Sequence, residues 1–502
     1  MKSNPPPRSQ EIELKLALPT SDPATLAKRL AHTAVLARRK PTHQQLHNVY
    51  FDTPDQVLNR QRIALRLRRV GSNDQPQWLQ TLKTGGQGDS ALSQRGEWES
   101  PVPGGALLRQ ALKATPWSAI DPDGSVFKAL GPSFVTTFER TLWLVRRRDG
   151  SVVEVALDIG QIEAGGKTTP ICELELELKV GEPAALFEVA QQIAATLAVL
   201  PASKSKAERG YALAQDGLNR PQRAQPPALI AKMPLLDAAQ RVLREMFCQF
   251  TVNLNALRSS DDPEVVHQAR VGWRRFKTAL RLFRPMLGEP VPSLLALQTL
   301  LTCLSELRDL DVALAETLPP IANAYTAGDA RREQAWQSMA EGLTQAADLQ
   351  RKAVRYALQE PVVGSSLLAI TQWLEDLTSP QGQGDAMLLP KESLRRWARR
   401  RMVRLHEQLQ RALQKADKAD DPIRLHRVRI LAKRLRYGME ALHDLLPKRQ
   451  RQDWTQQAMK LQMRLGASRD LGQASVLVAR LEVDRGLAEF LRGLALGRNK
   501  PQ

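Results

Sequence analysis

Between residues 11 and 180 the chain alternates apolar and polar residues in short segments, separated by clusters of Gly, Pro, Asn and Asp. A period of two puts successive side chains on opposite faces of a strand. Segments 11–18, 62–70, 77–84, 94–100, 134–147, 152–159 and 171–180 are therefore expected to be strands, and they predict an antiparallel β domain of roughly eight strands. Residues 22–38 and 183–200 read instead as helices. The stretch RPQRAQPP at 220–227 has no apolar period and is rich in Pro, as a linker is. Beyond it the helical period runs almost unbroken, with interruptions at 288–292 and 379–390. The pattern thus predicts an N-terminal α+β domain over 1–219, a linker over 220–228 and an all-α domain over 229–502.

The helical half repeats itself. VHQARVGWRRFKTALRLF from Val266 returns as LHRVRILAKRLRYGMEAL from Leu425, 159 residues later. LSELRDLDVAL from Leu304 and LGASRDLGQASVL from Leu465 follow the two copies, so two related helical bundles are expected. In the first copy His267, Arg270, Arg274, Lys277, Arg281 and Arg284 recur every three or four residues and form one stripe. Ala269, Trp273, Phe276, Leu280, Phe283 and Leu287 form another, which packs. The second copy has His426, Arg429, Lys433 and Arg436 on its basic stripe, with Val428, Ala432, Leu435, Met439, Leu442 and Leu446 on its apolar one. Like charges at this spacing repel by a few tenths of a kcal/mol per pair, so the stripe calls for an external anion. The Arg308-Asp309 and Arg469-Asp470 pairs are placed to return carboxylates to these helices.

Charge sharpens this division. Residues 1–219 carry 27 basic and 23 acidic side chains, a net of +4, and the remainder of the +19 total falls on the helical half. A domain this basic attracts a polyanion. Base stacking needs aromatics interleaved with the cations, yet Trp273 and Phe276 lie on the packing stripe and no helix-turn-helix or zinc-finger spacing occurs, which disfavours nucleic acid. Cys172, Cys248 and Cys303 are isolated, the start MKSNPPPR lacks an apolar core, and no apolar run reaches the ~18 residues of a membrane helix. A cytoplasmic protein without a membrane segment is expected.

In the strand-rich half one face is charged on strand after strand. Glu11, Glu13 and Lys15 share a side; so do Arg66 and Arg68, Arg95 with Glu97 and Glu99, Glu154 with Asp158, and Glu173, Glu175, Glu177 and Lys179. For a single strand such a face is ordinarily solvated. Repetition of carboxylates and guanidinium groups over so many strands predicts a closed barrel with its charges inside, a channel suited to a metal triphosphate. Cys172 alternates onto the apolar face and is expected to pack, and His47 to serve a structural hydrogen bond.

The run EIELK at 11–15 resembles the ExExK signature of CYTH domains, the triphosphate tunnel metalloenzymes. HNVYFDTP from His47, ALRLRR from Ala64, TLK ending at Lys83, RGEWE from Arg95, FERTLW from Phe138, ALDIG from Ala156, CELELEL from Cys172 and SKSKAERGYAL from Ser203 follow in the family's order. The resemblance implies a closed antiparallel barrel and metal-dependent triphosphate hydrolysis, with Mg²⁺ or alternatively Mn²⁺. It implies metal ligands among Glu11, Glu13, Asp158, Glu173, Glu175 and Glu177, and phosphate contacts from Lys15, Arg66, Arg68, Lys83, Arg140, Lys204 and Lys206. Glu11, Glu13, Lys15 and Lys83 would carry the catalysis. Glu97, Glu99, Glu154 and Asp158 remain open between a second metal, water orientation and pairing with arginines.

The basic repeats are similar to the CHAD domain, a helical domain often fused to CYTH and associated with polyphosphate. That similarity assigns His267, Arg270, Arg274, Lys277, Arg281, His426, Arg429, Lys433 and Arg436 to polyphosphate. Inorganic triphosphate as substrate and polyphosphate as partner are the expectation. The alternatives are a non-catalytic polyphosphate binder, a nucleoside or thiamine triphosphatase, and a class IV adenylyl cyclase, for which Trp78 and Trp98 are the candidate stacking platforms.

Overall fold

The computed structural model describes residues 10–497 apart from 20–21, 72–75, 87–89, 289–290, 378–392, 417–420 and 482–483. The expected break at 379–390 lies outside the described residues, as does part of that at 288–292. Two units emerge: one of Met1–Arg220 with Leu358–Gln372, the other of Pro221–Ala357 with Trp373–Gln502.

In the first unit the strands are β1 (Gln10–Ala17), β2 (Thr42–Asp52), β3 (Ala64–Val70), β4 (Gln77–Lys83), β5 (Leu92–Val102), β6 (Gly131–Arg146), β7 (Val152–Ala164), β8 (Lys167–Val180) and the two-residue β9 (Leu200–Pro201). They hydrogen-bond in the order β5-β4-β3-β2-β6-β7-β8-β1-β9, and a further β1–β5 pairing closes eight of them into an antiparallel barrel. Closure leaves those strands without an open edge. The alternation is inverted relative to a small filled barrel. Leu14, Leu16, Leu174 and Leu176 point outward into a core shared with Leu186, Phe187 and Ile193 of helix Ala184–Ala194. The charged members of β1 and β8 point in. Removing each such Leu or Phe from water contributes about 1.5–3 kcal/mol, so the apolar core outside the barrel carries the cost of a polar interior.

Helix Lys206–Ala214 closes one end, with Tyr211 and Leu213 packed against Leu46, Phe134 and Phe138. Gly210 makes this approach possible, because a Cβ there would lie 2.3 Å from the Phe134 ring. Buried Asp52 ties the end together, accepting from Leu58 N, Asn59 N and the Tyr211 hydroxyl, each at 2.9 Å. Gly160 is more constrained still. A Cβ there would sit 2.1 Å from Thr137 O across the β6–β7 pair. Gly160→Ala is therefore expected to cost about 3 kcal/mol by overpacking, read as a lowered thermal midpoint.

The expected helix over 22–38 shrinks to Leu26–Ala31, a short 3-10 turn before it and turns after it, and Arg38 takes a positive φ. β2 had no counterpart among the expected strands. Its Gln44, Gln45, His47 and Asn48 place polar groups on both faces and hide the period.

The described elements of the second unit are helices that fall between Leu235 and Gly497. The two repeat copies become helix Pro263–Phe283, here the His267 helix, and helix Pro422–Ala441, here the His426 helix. Asp262 and Asp421 cap them, each accepting from the backbone N–H two residues on, at 2.8 and 2.9 Å. Ala269, Trp273, Phe276 and Phe283 are buried as expected, whereas Leu280 is only half-buried and Ala279 and Leu282 complete the face. Among the described residues no helix is long and apolar enough to cross a membrane.

Candidate active site and basic cleft

The barrel encloses a cavity of about 470 Å³. Register builds it: Glu11 lies opposite Arg95 across β1–β5, and Lys15 opposite Glu175 across β1–β8. Glu11 accepts from Lys83 Nζ at 2.9 and 3.0 Å and from Arg95 Nε at 3.0 Å. Glu13 pairs with Arg95 at 2.5 Å and with Lys15. Burial alone would raise the Glu11 carboxyl, but Lys83, Arg95 and Lys15 hold it well below its ordinary range. Glu175 behaves alike, with Lys206, Lys15 and Arg140 outweighing its burial. Both depressed carboxyls stabilise the fold above their unfolded pKa near 4.5, and that contribution is lost as pH falls through the lower folded values. Loss of thermal stability on acidification below about pH 4.5 is expected from these groups, checked by calorimetry against pH.

At the capped end, Lys206 is the first residue of its helix, and the reciprocal Ser205–Glu208 box fixes it there. Its ammonium meets Asp158, Glu173 and Glu175 at 2.6, 2.5 and 3.0 Å. Arg140 grips Asp158 at 2.7 Å through Nε and Glu175 at 2.6 Å through Nη2. The oxygens of these three carboxylates approach within 4.8 Å of one another, yet an ammonium already occupies their centre. That cluster is neutralised from within the chain.

The other end differs. Glu177 lies opposite Glu13 on β1 and Glu154 on β7, so three carboxylates share one level of the wall. Lys179 reaches Glu177 at 2.6 Å and Glu154 at 3.4 Å. Even so, burial and the neighbouring Glu11 and Glu154 raise the Glu177 carboxyl above its usual range. Hard oxygen donors gathered at one level of the wall fit a hard divalent cation.

β3 supplies guanidinium groups to the same cavity. Arg66 is buried, 3.7 Å from Glu97, and Tyr50, Glu97 and Glu99 outweigh its burial and raise it, although among the described residues its Nε has no hydrogen-bond partner. Arg68 donates to Asn48 at 2.9 Å and lies 3.9 Å from Glu99; burial, with Arg66 and Arg140 nearby, lowers it to about 10. This is a shelf that anionic oxygens would relieve.

Most of the residues expected in the tunnel meet in this cavity. Lys204 is half-buried but does not line it, and Asp158 and Glu173 sit at its capped end in the Lys206 network. Glu97 and Glu99 pair with arginines. Arg95, Glu154 and Lys179, whose alternation was visible in the sequence, join the site beyond the residues first assigned to it; Tyr50 and Arg62 had no such signal. Trp78 and Trp98 point away from the interior. Trp98 packs in the cluster of Leu65, Leu82 and Trp117, and the Trp78 ring lies over Gly105. Cys172 packs against the outer core, and His47 Nδ1 bonds Thr137 at 3.2 Å, both structural as expected.

In the second unit the basic stripes of the two copies share one electrostatic neighbourhood. Burial and the surrounding Arg274, Arg429, Arg469 and Arg270 lower Lys433 to about 7. Arg270 is lowered to about 10 by burial and by neighbours including Arg274 and Arg469, with Asp309 opposing at 3.8 Å. Arg274 and Arg429 each bury an Nε that has no hydrogen-bond partner among the described residues. Burial and Arg308 push His267 down to about 4, so near neutrality it offers ring nitrogens and no charge. Lys277 lies over the Trp273 ring at 6.0 Å, while Arg281 and His426 are exposed. Arg436 turns toward Glu440 at 3.6 Å and over Tyr437 at 4.8 Å.

A closed barrel with its charges inside and its apolar face outside is the architecture of a CYTH domain, and residues 9–211 match that family. Residues 241–479 match the CHAD domain, so the chain is a CYTH–CHAD protein. Over 211 residues it is 38% identical to the inorganic triphosphatase of Haemophilus influenzae, covering 41% of this chain and 55% of that protein. The chain thus spans about half the length of this curated relative. It is similar to the crystallised CHAD domain of Ricinus communis at 31% identity, covering 56% of this chain and 91% of that one with a TM-score of 0.46. It also resembles the putative adenylyl cyclase HpAC1 from Hippeastrum, described as having a dominant triphosphatase activity, at 19% identity over 41% of this chain and 96% of that one, TM-score 0.28.

Proposed function

We propose that the barrel hydrolyses inorganic triphosphate to diphosphate and phosphate in a divalent-metal-dependent reaction, that the helical unit holds inorganic polyphosphate, and that the chain works in the cytoplasm. The observation that carries the reading is the polarised cavity: the carboxylates of Glu13, Glu154 and Glu177 at one level of the wall, with Glu177 raised, and the guanidinium groups of Arg66 and Arg68 on β3, with Arg68 lowered. Phosphate capture alone would not call for the carboxylates. Glu11, Glu13, Glu154 and Glu177 would hold Mg²⁺ or Mn²⁺, which supplies charge neutralisation to the phosphoryl oxygens. Lys15, Arg66, Arg68, Lys83 and Arg140 bind and align the phosphate chain. Water attacks the terminal phosphorus, the bridging P–O bond breaks, diphosphate leaves, and the proton of the water passes to the products. Such a transfer needs positioning and charge more than a protein nucleophile.

A nucleoside triphosphate or a cyclisation would need a stacking platform. Among the described residues the aromatic side chains lining the cavity are Tyr50, Phe138 and Tyr211. Tyr50 and Tyr211 pack on Phe134, and Phe138 stacks under Lys206 at 5.0 Å. This favours the inorganic substrate. The test is ³¹P NMR on inorganic triphosphate, ATP and thiamine triphosphate with Mg²⁺ and with Mn²⁺. Equimolar diphosphate and phosphate from the inorganic substrate, abolished by EDTA, is expected; a preference for ATP would replace the substrate assignment.

A further inference from the structure

After the helical turn Val57–Arg60 the chain reverses through Arg62, which holds a φ of 56°, the left-handed region that glycine occupies without strain. Arg62 N–H donates to Asn59 O at 2.9 Å and Ile63 N–H to Leu58 O at 2.8 Å, so the turn is fixed on both sides. The geometry gives the backbone no reason to prefer arginine here, since any Cβ is a liability at this φ. The side chain runs over the start of the β4–β5 connection, where a Cβ on Gly85 would come within 2.8 Å of Arg62 Cβ and 3.6 Å of its Cδ. Glycine at 85 clears the path for that stem. Arg62 then joins Lys83, Gly85 and Gly86 in lining the cavity, at the barrel end where β3 begins and β4 finishes. It is exposed, unlike Arg66 two strand positions beyond the start of β3. Backbone strain retained beside a site is a sign that the side chain has work there.

We propose that Arg62 is a further phosphate-binding residue, a guanidinium at the mouth of the barrel that contacts a terminal phosphate of the inorganic chain held by Arg66 and Arg68. It rests on the triphosphatase reading for its ligand. The contact adds a planar, bidentate donor at a point where the terminal group carries the most charge.

The experiment compares the full chain with Arg62→Gly and Arg62→Lys, measuring calorimetric affinity for inorganic triphosphate in EDTA, where the proposed hydrolysis stops, and the thermal midpoint without ligand. Arg62→Gly is expected to weaken affinity about tenfold while leaving the midpoint equal or higher, because glycine relieves the strain; Arg62→Lys is expected to recover part of the affinity. Unchanged affinity in Arg62→Gly overturns the proposal. So does a weakened affinity that lysine does not restore and that tracks a lowered midpoint, which marks a structural role. Turnover by the unsubstituted chain separates the two claims: no turnover defeats the triphosphatase reading, and the affinity comparison still decides the role of Arg62.

Discussion

Replacing Lys83 by Ala is expected to lower triphosphate turnover by about 10²–10³-fold, the scale on which one preorganised charge acts in a dry site. Lys83 bridges Glu11 at 2.9 Å and Glu97 at 3.0 Å and lines the cavity, so it both carries charge toward substrate and holds Glu11 in place. Glu11→Ala is expected to do as much by another route. It leaves Lys83 and Arg95 without their shared partner and removes an oxygen from the carboxylate wall. Glu11→Gln separates the two effects, since the amide keeps the shape and loses the charge. Phosphate release by each variant, with circular dichroism confirming the barrel, checks this. Turnover within a few-fold of the unsubstituted chain would remove both residues from the mechanism.

The second large effect is expected in the helical unit. Arg274→Ala with Arg429→Ala should weaken polyphosphate binding by about 10²-fold, treating each as one charge-assisted contact of roughly 1.5 kcal/mol. Both bury an Nε that no group among the described residues satisfies, and both lower the neighbouring Lys433. Triphosphate turnover should stay within a factor of two. Titration with a long polyphosphate, alongside the turnover assay, tests this, and duplex DNA as competitor separates a polyphosphate site from a general polyanion surface. Equal loss of binding and turnover would mean that one site serves both.

How far the sequence reveals this arrangement depends on whether a feature is local. The alternation of Glu11, Glu13 and Lys15, or of Glu173, Glu175 and Glu177, is a property of one strand, and the inward face followed from it directly. Closure follows from register between distant strands, such as Glu11 against Arg95, and no periodicity encodes that. The fate of each carboxylate was hidden for the same reason. Glu173 and Glu177 share a face, yet Glu173 meets Lys206 from a helix more than thirty residues on, while Glu177 meets Lys179 two residues on along its own strand. In the helical half the two basic stripes were legible. That they converge, and that Arg436 leaves the cluster for Glu440, depends on packing between helices.

The most direct test of the polarised cavity is anomalous diffraction from crystals grown with Mn²⁺ and inorganic triphosphate. Manganese is expected within coordination distance of Glu13 and Glu177, about 2.0–2.3 Å as for hard oxygen-bound cations, with phosphate oxygens on Arg66 and Arg68. Manganese among Asp158, Glu173 and Glu175 with Lys206 displaced, or phosphate bound only outside the barrel, would contradict it.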